Sequence, residues 1–251
     1  MIKLYANIGF GHENDWDNIY KRVVAAAQCN ADAVIMTKST PDIMISENKK
    51  YLSIDSKWGN LPYIEVAKKS EIDELNCKKL RNLIDEIGIP LIWSVTDSEA
   101  ANWVKDNTNT YTIKIHNDSA NDEELINYCI NSFDKIMYPG YGKYVDLILK
   151  KYPRSVDKEK FSLYHSARKF PPQIEELNLS KIDEYRKIQN IQVGYEGRCE
   201  GIYPDVAVTL KDIDYIEKYL GDEEPFNDAV LTHQKFYDFF VNMNQLEIAR
   251  G

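Results

Sequence analysis

Short apolar or alternating runs recur along the chain, separated by amphipathic or polar stretches. Residues 2–9 (IKLYANIG), 31–37 (ADAVIMT), 89–95 (IPLIWSV), 110–116 (TYTIKIH), 134–139 (DKIMYP), 161–165 (FSLYH), 191–195 (IQVGY) and 212–219 (DIDYIEKY) each read as a β-strand. Between them, apolar positions fall near helical spacing. In 14–28 they are Trp16, Ile19, Val23, Ala26 and Ala27. In the tail, 232–249, they are Phe236, Phe239, Phe240 and Met243. The stretch 62–88 holds a helix ending near Gly88, a plausible C-cap. The stretches 98–106, 121–131, 144–152, 178–188 and 203–210 supply the remaining segments. Strands alternating with helices predict a parallel sheet. Eight such units in 251 residues predict one closed (β/α)8 TIM barrel, a single domain over 1–251 with no linker. The most polar insertion, 46–59, falls in the second β–α connection, where a long loop projects from the catalytic face.

Composition narrows the classes. A hydrophobic content of 43% suffices for a full core, and a net charge of −9 argues against a nucleic-acid partner, which needs clustered cations. Cys29, Cys77, Cys129 and Cys199 are far apart with no CxxC pair, as expected of reduced thiols in a cytoplasmic protein. The start of the chain lacks the pattern of a signal peptide, and no window approaches ~18 uninterrupted apolar residues, so no membrane association is expected.

A barrel places function at the C-terminal ends of its strands. Those ends carry His12, Thr37 with Lys38, Ser94 with Asp97, His116 with Asn117, Tyr138, His165 with Ser166, Glu196 with Arg198, and Tyr219. Arg168 and Arg198 present guanidinium forks that match carboxylates and phosphates, so an anionic ligand can be held by Lys114, Arg168 and Arg198 without a metal; surface ion pairing in an acidic protein explains the same residues. Glu196 is either a general base or the partner of Arg198. His233 is expected on the surface of the last helix, and Trp58, Trp93 and Trp103 are expected in core and loop packing rather than as a sugar platform. The stretch GFGHEND lacks the spacing of a nucleotide loop.

Several of these stretches, in this order, resemble the sialic acid synthase (N-acetylneuraminate synthase, NeuB-like) family. ANIGFGHENDWDNIYKRVVAAAQCNADAV is similar to that family's opening pattern, LIWSVTD to its third strand, IKI at 113–115 to its fourth, and LYHSARKFPPQIEELNLSKI to its His-Cys-x-Ser-x-Tyr-Pro segment. VGYEG and DYIEKYL stand where the family has Gly-Tyr-Ser-Asp-His-Thr and Ile-Glu-Lys-His. The resemblance implies a barrel that condenses phosphoenolpyruvate with an N-acylated hexosamine in an aldol-type step of nonulosonic acid biosynthesis. With the strand-end positions, this makes Lys114, His165 and Glu196 the catalytic candidates, of which Lys114 and His165 match family residues. His12, Ser94, Asp97, Lys114, Ser166, Arg168, Arg198 and Tyr219 are the candidates for substrate contact, read from their places at the strand ends. Lys114, matching the family's fourth-strand lysine, reads as a phosphate or carboxylate ligand or as a lysine reaching out to solvent.

The departures qualify these implications. The family's divalent cation, Mn²⁺ or Mg²⁺, is implied to need two histidines; His165 is one, and Tyr219 stands in the other place, a phenol that is a poor ligand. Ile35 replaces a family lysine, and Lys38, three residues on, points to the opposite strand face. Ser119 stands at the family's catalytic glutamate, and Ser-Asp-His-Thr has become Glu196, Gly197, Arg198 and Cys199. The family's C-terminal antifreeze-like domain is expected to be missing, and a homodimer is expected by analogy. Two readings therefore stand. One is a divergent synthase-like enzyme, a phosphoenolpyruvate-dependent condensing transferase or an aldolase-like relative, acting on an anionic sugar-derived ligand. The other is a catalytically inactive barrel serving as a binding or partner subunit in a surface-polysaccharide pathway.

Overall fold

A computed structural model describes residues 1–141, 145, 160–188, 191–222 and 229–250. The predicted eight strands are present. They are β1 (Lys3–Gly9), β2 (Ala33–Lys38), β3 (Leu91–Val95), β4 (Thr112–Ile115), β5 (Lys135–Pro139), β6 (Phe161–Ser166), β7 (Gln192–Gly197) and β8 (Tyr215–Leu220). Each pairs in parallel with the next in sequence, and β8 pairs back onto β1 from Lys3↔Tyr215 to Asn7↔Tyr219, closing a (β/α)8 barrel. A two-residue strand, Val230–Leu231, pairs in parallel with the end of β8.

The helices form where caps and apolar spacing agree. Helix α1 (Trp16–Gln28) starts at Asp15, whose carboxylate accepts from the Asn18 amide, and buries Ile19, Val23 and Ala26. The stretch 62–88 divides into α2 (Tyr63–Ser70) and α3 (Glu74–Ile87); Asp73 caps α3, and Gly88 closes it at φ +77°, as a left-handed C-cap requires. Helices α4 (Ser98–Asn107), α5 (Glu123–Ser132), α6 (Ser180–Arg186), α7 (Tyr203–Val208) and α8 (His233–Arg250) follow their expected strands. The segment expected at 144–152 lies outside the described residues apart from Val145. The polar insertion differs from a plain loop. It holds a turn of helix, Glu47–Lys50, and an antiparallel hairpin, Ser53–Ser56 with Gly59–Pro62. Gly59 takes φ +94° at the hairpin turn, where a side chain is disfavoured. Lys57 at its tip reaches Glu13 Oε2 at 3.1 Å, tying the hairpin to the loop after β1.

The strands are covered on both faces. Their outward residues pack on the helices in one large core that includes Val34, Trp93, Ile113, Leu163, Val193 and Ile216. Their inward residues form a second cluster of Ala33, Ile35, Ile92, Met137, Tyr164 and Tyr215, which fills the lower part of the barrel. There Tyr5 stacks on Tyr215 with ring centroids 5.0 Å apart. Gly194 makes room for that tyrosine, since a Cβ at this position clashes with the Tyr215 ring. Above the apolar plug the inward positions turn polar, and the candidate site begins.

Candidate functional site

Lys114, on β4 and 2% exposed, sits at the centre of the polar layer. Its Nζ donates to both oxygens of Glu217 on β8, at 2.7 and 2.8 Å, lies 3.3 Å from Glu196 Oε2 on β7, and rests 4.6 Å from the centroid of the Tyr164 ring. Asn7 on β1 donates to Glu217 Oε1 at 2.5 Å. Asn117, just after β4, donates to Glu196 Oε2 at 2.5 Å and to Ser166 Oγ at 3.0 Å, while Ser166 donates to the Ala167 carbonyl. Tyr219 donates to Glu196 Oε1 at 2.8 Å, and Arg198 Nε lies 3.8 Å from that oxygen.

The two carboxylates titrate in opposite directions. Burial pushes both upward. For Glu217 burial and the neighbouring Glu196 charge prevail over Lys114, and its pKa is raised. For Glu196 the attraction of Lys114 and Arg198, with the Tyr219 hydrogen bond, outweighs burial and holds it below the usual carboxylate range. At neutral pH Glu196 is a fixed anion.

The rim above this layer is cationic and aromatic. Arg198 donates from Nη1 to the carbonyls of Ala167 and Arg168, at 3.1 and 3.2 Å, and its guanidinium lies 5.2 Å from the Phe170 ring centroid. Phe170 in turn contacts Tyr219 at 4.9 Å between centroids. Arg168 lies over the Tyr141 ring at 5.3 Å, and no carboxylate of the described residues pairs with it. Tyr141 donates to the carbonyl and side-chain oxygens of Asn117.

The structure therefore gathers Lys114, Ser166, Glu196, Arg198 and Tyr219, with Arg168 at the edge. Ser94 joins the layer beside Lys114 through the β3–β4 register, with its Oγ buried and unpartnered. Asp97 is placed differently. Its oxygens take hydrogen bonds from the Thr40 amide and hydroxyl, the Thr96 hydroxyl and the Ala100 amide, so it caps α4 and anchors the loop after β2. His165 points out of the barrel. Its Nε2 lies 2.6 Å from the Leu177 carbonyl, and its ring contacts those of Tyr185 on α6 and Tyr195. Lys38 also faces outward, paired with Glu71 at 2.7 Å over Trp103. His233 is exposed at the start of α8, and Trp93 meets Trp103 edge-on within the packing. Glu217 and Asn7 belong to the site although neither stood out in the sequence. The signal for Glu217 was its spacing: it lies two residues from both Tyr215 and Tyr219 and so shares their face.

His12 is fully buried in the loop after β1, where its Nδ1 accepts from the Asn14 amide at 3.0 Å and its Nε2 has no partner. Burial, with Arg22, Lys38 and Lys57 adding repulsion, lowers its pKa from 6.5 to about 3. A depressed histidine takes its proton first in the unfolded chain. Its contribution to stability is therefore intact above pH 6.5 and drains away as pH falls towards 3. Between pH 7 and pH 5 the loss is expected to reach about 2 kcal/mol. Urea unfolding of His12→Asn at both pH values should show a flatter dependence; an unchanged slope argues against this assignment.

The donor set does not suit a divalent cation. Among the described residues no three His, Cys, Asp or Glu side chains converge on one point. The layer already holds two cations, Lys114 and Arg198, against its two carboxylates, and Tyr219 uses its proton on Glu196.

A closed parallel barrel with a buried polar cluster at its strand ends defines the class as the (β/α)8 barrels. The particular family follows from comparison: the chain matches the NeuB family over residues 22–251 and belongs to it. It is 24% identical over 221 residues to the N-acetylneuraminate-9-phosphate synthase of Mus musculus, and 23% identical to that of Homo sapiens. Those matches take in 86% of this chain but 61% of each relative. The fold is similar to that of a sialic acid synthetase from Leptospira borgpetersenii serovar Hardjo-bovis in complex with citrate, with a TM-score of 0.86 and 16% identity over 100% of this chain and 85% of that one. It is also similar to a spore coat polysaccharide biosynthesis protein from Bacillus subtilis, with a TM-score of 0.75 and 17% identity over 98% and 68%. Among the described residues no helix is long and apolar enough to cross a membrane.

Proposed function

We propose that this chain binds a small anionic, sugar-derived ligand at the barrel mouth and serves carbohydrate biosynthesis of the nonulosonic acid type. The observation that carries the reading is the pair of guanidiniums at one rim. Arg168 has no carboxylate partner among the described residues, and Arg198 stands 3.8 Å from its nearest one, beyond hydrogen-bonding reach. Phe170 and Tyr141 lie under those cations, which makes the rim aromatic as well as cationic, a lining suited to a sugar acid. Membership of the NeuB family supports the pathway.

The inner layer favours a second reading of the chemistry. Lys114 is already held by resident carboxylates, so it is not free to take the phosphate or carboxylate of phosphoenolpyruvate. That observation favours a binding or partner subunit over a condensing enzyme. A thermal-shift and calorimetric screen tests both, using phosphoenolpyruvate, an N-acylated hexosamine, a nonulosonic acid and citrate, each with and without Mn²⁺. Stabilisation by the sugar acid irrespective of Mn²⁺ is the expected result. Stabilisation by phosphoenolpyruvate only with Mn²⁺ identifies the condensing enzyme instead. Indifference to every small anion overturns ligand binding at the mouth.

A further inference from the structure

The donors around Glu196 are arranged as they are around a bound anion. Oε1 faces the Tyr219 hydroxyl at 2.8 Å and Arg198 Nε at 3.8 Å. Oε2 faces Asn117 Nδ2 at 2.5 Å and Lys114 Nζ at 3.3 Å. Each oxygen has one neutral donor and one cation, supplied by β4, β8, the turn after β4 and the first residue after β7. Lys114 spends its hydrogen bonds on Glu217, which accepts two of them at 2.7 and 2.8 Å, and meets Glu196 only at the longer distance. Glu196 therefore occupies a position where two hydrogen-bond donors and two cations converge at the C-terminal end of the barrel.

We propose that Glu196 is the resident occupant of an anion site, its carboxylate standing where a ligand's carboxylate or phosphate group would otherwise be held. A covalently tethered carboxylate has an effective concentration far above that of any free metabolite, so an external anion does not displace it. The depressed proton affinity of Glu196 agrees, because it keeps the occupant charged at working pH. Glu196 thus acts as a specificity determinant: ligands that must seat an anion at this depth are rejected, and the charge of an accepted ligand stays at the rim with Arg168 and Arg198. That consequence for the ligand rests on the reading above; the occupancy itself does not.

The test vacates the position. Glu196→Ala leaves Lys114, Arg198, Asn117 and Tyr219 facing an empty space of carboxylate size. The probes are sodium acetate and sodium formate, compared with sodium chloride at equal ionic strength. Glu196→Ala should melt below the wild type, and acetate should raise its Tm saturably by on the order of 5 °C, with a midpoint in the millimolar range. The wild type and Glu196→Gln, whose side chains still fill the position, should show no acetate-specific rise. Equal action of chloride, or an equal rise in the wild type, overturns the proposal. A Glu196→Ala chain that folds in neither salt overturns it as well, because an anion that completes the site should restore folding. A wild type indifferent to sugar acids in the ligand screen, with acetate still rescuing Glu196→Ala, separates failure of the functional reading from failure of this one.

Discussion

Lys114→Met is expected to lower the free energy of unfolding by about 3–5 kcal/mol, because it leaves two buried carboxylates without their shared cation. Glu217 is fully buried and Glu196 is 1% exposed, so water cannot replace the ammonium. Methionine matches the lysine stem in length, which keeps packing changes small and isolates the charge. Combining it with Glu217→Gln should restore much of the loss, since the amide needs no counter-ion. The deficit also depends on pH. The proton affinity of Glu217 is raised in the folded state, mainly by burial, and losing Lys114 raises it further. A protonated Glu217 needs no cation, so the deficit of the single variant should grow as pH rises above about 7, where the wild-type Glu217 ionises, and level off at a smaller value below it. Urea unfolding at pH 5 and pH 8 reads both effects. A loss below about 1 kcal/mol at pH 8 would show that the pair contributes no more than an exposed one.

The second large effect is expected at Lys218, which alternates with Glu217 and Tyr219 and so points away from the barrel interior. Lys218 and its partner Asp205 are both fully buried, 2.6 Å apart. The same ammonium donates to the carbonyls of Cys199 and Gly201 at 2.8 and 2.9 Å. Burial pushes the Asp205 carboxyl upward against the pull of Lys218. Gly197 makes room for Asp205, since a Cβ there clashes with the carboxylate, 2.8 Å from Cγ. Lys218→Met therefore strands an acid and two carbonyls, and the expected loss is again about 3–5 kcal/mol by calorimetry or urea. It should also blunt any ligand response at the rim, because the loop it anchors begins next to Arg198. Adding Asp205→Asn should recover part of the stability but not the loop contacts. A Lys218→Met protein with wild-type Tm and undiminished ligand response would remove this anchor from the account of the site.

Much of the architecture was legible because it depends on local spacing. Helix α1 is announced by Asp15 and by Ile19, Val23 and Ala26, and Gly88 marks the end of α3. The hairpin that begins within 46–59 and runs to Pro62 was not, because its strands are four residues long and mostly polar, with Ile54 and Leu61 as a single apolar pair across it. Strand faces were harder to read. Strands covered on both sides appear as continuous apolar runs, and every residue of Phe161–Ser166 is buried. Nothing within that run says that His165 looks outward to Leu177 and Tyr185 while Tyr164 and Ser166 look in. Asp97 misled for another reason: an aspartate after a strand is equally a helix cap and a ligand contact, and only the placement of Thr40 decides which.

By itself the sequence determined the eight strands, their order, the barrel they close and the end at which polar side chains gather. Those follow from periods of 2.0 and 3.6 residues and from chain length, which are properties of neighbours along the chain. Only the tertiary structure decided which side chains share a layer. Lys114 meets Glu217 across 103 residues and Asn7 meets Glu217 across 210, contacts that exist because β8 closes on β1 in one particular register. A shift of that register moves every inward carboxylate relative to every inward cation, so the charge balance of the mouth is set by barrel closure and by no short stretch of the chain.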